Sequence, residues 1–189
     1  MTYFFIRAFD VVIAFSALVL GFPVFLIVAC IGYFDTGSPI FCQTRMGKGK
    51  RPFTLIKFRT MVLDTKSVAT HLASHDSITT YGAFLRKTKI DELPQLINVL
   101  RGEMSLVGPR PNLFNQHALI GERDSRNIYS ALPGITGLSQ INAIDMSSPK
   151  LLAETDQKMI ETMSVCNYFK YILMTALGSG SGDRIRKDH

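Results

Sequence analysis

The sequence predicts an α+β protein dominated by helices. It has an N-terminal re-entrant membrane helix broken at Pro23, then a cytoplasmic domain with interfacial amphipathic helices and a small sheet. Three observations carry this. Residues 11 through 34 form a run of 24 without a charge. Leu93, Leu96, Ile97 and Leu100 recur at helical spacing, and Leu152, Met159, Ile160 and Met163 fall broadly on one side of a second segment. Strand-like runs are few and short: Phe53 to Phe58 and Met104 to Val107. The boundaries that follow are a membrane hairpin over 1–35, a cytoplasmic domain over 36–178 and a flexible basic tail over 179–189.

A chain of 189 residues can bury a single core of ordinary size. A formal net charge of +6 and a pI near 9.3 point to an anionic partner: nucleic acid, a lipid surface or a phosphorylated substrate. Nucleic acid fits poorly, because the bases cluster beside the apolar run and there is no tryptophan to stack on. The three cysteines form no CxxC pair and are odd in number, so neither a disulfide framework nor a zinc ribbon is indicated. His71 and His75 have i, i+4 spacing but no nearby Glu or Cys partner, and no metal is assigned to them.

The apolar run would span roughly 36 Å as a straight helix, enough for a ~30 Å hydrocarbon core. It is too long for a signal peptide, and no A-x-A-like site follows it. Pro23 lies almost at its midpoint, where it removes a hydrogen bond and crowds the preceding turn. Arg45, Lys48, Lys50, Arg51, Lys57 and Arg59 follow with no acid between Gln43 and Met61, which marks the cytoplasmic side. Arg7 on the short leading flank gives little pull for sending that end across. A re-entrant hairpin with both ends cytoplasmic is therefore favoured over a Pro-kinked single span, the alternative that also satisfies these facts.

The six bases read in two ways. Lys48, Lys50 and Arg51 form a polybasic patch for anionic lipid, while Lys57 and Arg59 alternate on one strand face and can point together at a phosphate. Val62 to Thr80 is polar with little periodicity and reads as a surface loop or short helix. Next comes LRKTKIDELPQLINVLRGEMSLVGPRP, from Leu85 to Pro111. Asp91 is placed to N-cap the helix that follows, Pro94 falls in its first turn and Gly102 stops it. Arg86 precedes the Asp91–Glu92 pair, and Arg110 follows it between Pro109 and Pro111, which restrict the backbone before any ligand arrives. The plain alternative makes the acids a cap and a solvated charge, and GPRP a tight turn.

LPGITGLSQIN, Leu132 to Asn142, reads as a loop whose backbone can approach a nucleotide or phosphate. A helix starts at Ser148-Pro149 and runs to about Val165, and a shorter one covers Tyr168 to Leu177. Either can lie in a membrane interface or pack on the core.

Taken together, RMGKGKRPFTLIKFRTM, the Leu85–Pro111 stretch and PGITGLSQIN stand in the order found in bacterial sugar transferases. The chain resembles the small monotopic phosphoglycosyl transferases of that family from Arg7 to about Gly182, and looks like their minimal catalytic unit. The resemblance implies an inner-membrane enzyme on the cytoplasmic face, whose re-entrant helix breaks at the position of Pro23. It implies that Asp91 attacks the β-phosphorus of a UDP-sugar, that UMP leaves, and that a polyprenyl phosphate then takes the phosphosugar. Glu92 is the other half of the dyad and Mg²⁺ is required, held by Asp91 and Glu92. Arg86 and Arg110 look like the phosphate-binding arginines, with Lys57, Arg59 and Arg45 in the basic motif nearby.

Two departures stand out. Phe22 occupies a position that is often Ser in the family, and Ala143-Ile144 replaces a common Gly-Arg after Asn142. A direct displacement in a ternary complex and a non-catalytic, membrane-anchored adaptor are the competing readings. The adaptor would need no Mg²⁺ and would tolerate Asp91→Ala.

Overall fold

The computed structural model describes residues 2–63, 77–178 and 180. His71, His75, most of the polar loop after Val62 and nearly all of the basic tail lie outside them. Helices dominate, as the sequence predicts. Helix α1 (Thr2–Thr36) leads into strands β1 (Ile40–Met46) and β2 (Pro52–Phe58), then α2 (Thr80–Thr88), α3 (Gln95–Leu100) and β3 (Ser105–Val107). The chain closes with α4 (His117–Ser125), β4 (Gly134–Thr136), α5 (Leu138–Ile141), α6 (Pro149–Glu161) and α7 (Val165–Ala176).

Helical structure in α1 runs through Pro23 without interruption, so the predicted break is not a gap in the helix. The proline's direct effect is the missing donor to the carbonyl of Val19. Most of the middle of α1 is exposed and apolar, and by length and composition this one helix among the described residues could cross a membrane. Both arms are nonetheless fastened to the same body. Arg7 donates to the Val99 carbonyl at 2.7 Å, capping the C-terminal end of α3, where a cation suits the helix dipole. The Asp10 carboxylate accepts from the Leu106 amide, the Ser105 hydroxyl and the Tyr168 hydroxyl at 2.8–3.0 Å, tying α1 to β3 and α7. Near the other end, Tyr81 donates to the Val28 carbonyl at 3.1 Å and Thr79 to the Asp35 carboxylate at 2.6 Å.

Strands β1 and β2 form an antiparallel hairpin in register from Ile40 opposite Phe58 to Met46 opposite Pro52. Strand β1 is absent from the sequence-based reading because its buried positions include Gln43 and Arg45, the reverse of an apolar stripe. The small sheet is thus two separate pairs. In the second, β3 and β4 run parallel, with Ser105 opposite Gly134 and Val107 opposite Thr136.

The core gathers Phe53, Leu55, Leu96, Val99, Met104 and Leu106 with Ile6 and Ala14 of α1. A satellite cluster joins Val28, Phe58 and Leu85. Helix α6 begins with Pro149 in its first turn, as predicted, but ends at Glu161. Ser164 then caps α7, its hydroxyl accepting from the Asn167 amide at 3.1 Å, so the last helix starts three residues earlier than expected. Helix α7 buries Tyr168 and Tyr171 while Phe169 and Leu173 stay exposed, the pattern of a helix with two apolar faces.

Candidate active site

The paired acids sit on a single 3₁₀ turn, Ile90–Glu92, not at the cap of the helix that follows. Helix α2 ends at Lys89, whose left-handed φ of 59° turns the chain and whose amide returns to the Arg86 carbonyl. The six residues of α3 start only after Pro94. Asp91 therefore gains nothing from the start of α3, and its placement comes from packing. Ile90 seats against the Val28–Phe58–Leu85 cluster. Asn98 pins α3 to β2, donating to the Thr54 carbonyl at 2.7 Å and accepting from the Ile56 amide at 3.2 Å. Asp91 is 2% and Glu92 8% exposed, a burial that carboxylates tolerate only with partners.

For Glu92 that partner is an arginine. Arg110 donates to the Glu92 carboxylate at 2.8 Å. Arg86, on the α2 turn before the acids, is buried and donates from Nε to the Thr60 hydroxyl at 2.9 Å. Lys57, also buried, lies on β2, which packs against the acid-bearing turn. Lys57 and Arg59 share a face, as the alternation predicts, and both lie over the ring of Phe41. Arg59 spends its guanidinium on the Ser38 and Ile40 carbonyls, which closes the base of the hairpin. Arg45 is buried beneath the PRP segment, donating to the Pro111 carbonyl at 3.2 Å and to the Gln43 side chain. Its contacts are those of a buttress for the loop that carries Arg110.

The loop has a second support, which sequence reasoning did not find. Arg123 of α4 is 1% exposed and Asp156 of α6 is 0% exposed; they pair at 2.7 Å. Arg123 also donates to the Arg110 carbonyl at 2.8 Å and to the Asn112 side chain at 3.0 Å. Asp156 accepts from the Ser139 hydroxyl at 2.7 Å, and Tyr129 donates to Asn112 at 3.1 Å. Burial pushes the Tyr129 hydroxyl above its ordinary pKa, which keeps it a donor. One buried pair thus joins the GPRP segment to the PGITGLSQ segment.

That junction also revises the reading of PGITG as a loop open to a phosphate. Its first glycine lies against protein backbone: a Cβ on Gly134 would sit 2.0 Å from the Gly108 nitrogen. The Gly108 amide donates to the Thr136 carbonyl at 2.8 Å, and the Gly134 amide to the Pro109 carbonyl at 2.9 Å. The glycine is there so that two backbones can touch and fix the strand leading to Arg110. Downstream, Ala143 takes φ 56°, a conformation that suits glycine better than alanine. Ala143→Gly is expected to raise stability by about 1 kcal/mol, read as a higher midpoint in thermal unfolding.

Asp91 and Glu92 are adjacent carboxylates on one turn, with Arg110 bonded to Glu92. Among the described residues no group of three or more His, Cys, Asp or Glu side chains could hold a metal. Protein sites that bind Mg²⁺ do so through one or two carboxylates plus substrate phosphates, and Asp91 and Glu92 are two such groups.

Residues 1–180 match the family model described as bacterial sugar transferase. The chain is 38% identical over 170 residues to an uncharacterized sugar transferase, EpsL, of Bacillus subtilis (strain 168), covering 89% of this chain and 84% of that one. It is 39% identical over 183 residues to the UDP-glucose:undecaprenyl-phosphate glucose-1-phosphate transferase of Caulobacter vibrioides, covering 89% and 67%. An Escherichia coli (strain K12) protein of that same name is 41% identical over 146 residues, covering 72% of this chain and 30% of that longer one.

Proposed function

Because this chain belongs to the bacterial sugar transferase family, we propose that it moves a sugar 1-phosphate from a UDP-sugar to a polyprenyl phosphate, releasing UMP. The observation that carries the reading is the buried Asp91–Glu92 pair with Arg110 bonded to Glu92 at 2.8 Å and Arg86 on the preceding turn. A diphosphate brings two or more negative charges, and an anionic nucleophile approaches it only where fixed cations offset them. Guanidinium groups suit that task through paired, planar donors.

In the first half-reaction an Asp91 carboxylate oxygen bonds to the β-phosphorus. The bond from that phosphorus to the bridging oxygen breaks, and UMP carries away the bridging oxygen and its electron pair. In the second, a phosphate oxygen of the polyprenyl phosphate attacks the same phosphorus, and the Asp91 carboxylate leaves intact. The covalent route divides one hard displacement into two. Glu92 holds Arg110 in place until phosphate takes over that guanidinium. Asp91 and Glu92 would together hold Mg²⁺, which supplies charge neutralisation at the diphosphate oxygens.

The acceptor lives in the bilayer, so the acids must work at its surface. What supports a re-entrant, monotopic seat on the cytoplasmic face is that Arg7 and Asp10 at one end of α1, and Val28 and Asp35 at the other, are bonded to one body. A helix that crossed the membrane would leave its two ends in different compartments. The basic β1–β2 hairpin at the end of α1 supports the cytoplasmic side.

The test is UMP release by the full chain in detergent, across a panel of UDP-sugars, with polyprenyl phosphate and Mg²⁺. One sugar is expected to release UMP at a rate that falls at least tenfold when a chelator removes the divalent ion. UMP release that is absent with every sugar, or indifferent to the chelator, would count against the reading.

A further inference from the structure

A cavity of about 410 Å³, well within the range of ligand pockets, opens between the start of α1 and the end of α6 and reaches Gly108 and Pro109. None of Asp91, Glu92, Arg86 or Arg110 lines it. Its walls are apolar, formed chiefly by Ile6, Val107, Leu132, Met159, Ile160 and Met163. Methionines make such a wall adaptable to a flexible chain. Tyr3 stands in the lining, and the neighbouring Phe4 and Phe5 on α1 are exposed.

The polar lining is asymmetric. Asp10 is the one acid in it among the described residues, and its carboxylate is buried and occupied by Leu106, Ser105 and Tyr168. Arg7 is spent on the carbonyls at the end of α3. Lys48 is exposed, and it also lines the adjoining groove, where Arg51 joins it. Glu103 in that groove accepts from Asn98 at 2.7 Å. An apolar chamber beside the start of α1, with Lys48 at its edge and Arg51 in the adjoining groove, matches the acyl chain of a lipid whose headgroup carries a phosphate.

We infer that this cavity binds one chain of an anionic bilayer phospholipid, with the phosphate at Lys48 and Arg51. The polyprenyl phosphate acceptor is the less suited occupant, because its phosphate must reach phosphorus held at Asp91. Although Gly108 and Pro109 of the GPRP segment line the chamber, neither acid nor Arg86 nor Arg110 does. The bound lipid would anchor the start of α1 against α6.

The chain has no tryptophan, so Tyr3→Trp provides a single fluorescent reporter at the cavity. The full chain in neutral detergent is titrated with phosphatidylglycerol carrying brominated acyl chains. Saturable quenching is expected, at least tenfold weaker with brominated phosphatidylcholine and equally weakened by Lys48→Glu. Ala131→Phe, which fills the cavity from its lining, should remove the saturable component. If that variant fails to fold, Lys48→Glu at its exposed position decides alone. Equal affinity for the two phospholipids, or quenching unchanged in Lys48→Glu, would overturn the inference. So would displacement by farnesyl phosphate at a tenfold lower concentration than phosphatidylglycerol, since the chamber would then belong to the acceptor. Binding is read without turnover, so failure here leaves the transfer reaction untouched.

Discussion

Asp91→Asn is expected to lower UMP release by at least about a thousandfold, some 4 kcal/mol in barrier height, and to abolish exchange of labelled UMP into UDP-sugar. The amide keeps the shape of the carboxylate but lacks the anionic oxygen that would bond to phosphorus. Exchange is the sharper measurement, because it reports the first half-reaction without the lipid acceptor. A variant that retains exchange would exclude the covalent route through Asp91. A variant that loses turnover in parallel with its thermal midpoint would point to folding instead, since Asp91 is only 2% exposed. Glu92→Gln should behave differently. Its amide oxygen can still accept from Arg110, but the charge that opposes the guanidinium at 2.8 Å is gone. A loss of about a hundredfold, with exchange and overall transfer falling together, is expected from misplacement of Arg110.

How much of this was legible in the sequence depended on whether a signal was local. Pro149 in the first turn of α6 and the strand-like run of Phe53 to Phe58 are local, and both elements start within a residue of where the pattern puts them. The pairing of Glu92 with Arg110 brings together charges 18 positions apart, within one motif already rich in arginine. Strand β1 was illegible because Gln43 and Arg45 face inward, supported by partners that only the tertiary fold supplies. The 3₁₀ turn at Asp91 was read as a cap because Asp followed closely by Pro is ordinary helix-start chemistry. What displaced the helix start was Lys89 in a left-handed conformation, a choice made by packing rather than by residue type. Gly134 shows its purpose only once Gly108 is known to lie against it. Arg123 and Asp156 carry no signal at all, each being one charge among several on its helix.

That last pair gives the second large effect. Asp156→Ala is expected to cost about 3–5 kcal/mol, because it leaves the Arg123 guanidinium buried and uncompensated. A domain of this size holds only about 5–15 kcal/mol in all, so the thermal midpoint should fall by roughly 10 °C. Stability alone would make this an ordinary core mutation, and a double variant separates the two roles. Arg123→Met with Asp156→Leu removes both charges, and apolar replacement of a buried pair often restores stability. It cannot restore the donors to the Arg110 carbonyl and Asn112, or the acceptor for Ser139. The double variant should therefore melt near the native midpoint yet transfer sugar phosphate at least tenfold more slowly. If the pair positions Arg110, the deficit should lie mainly in the rate at saturating UDP-sugar. Activity that returns in step with stability would show that the pair only holds α4 to α6, and that the GPRP segment keeps its place without it.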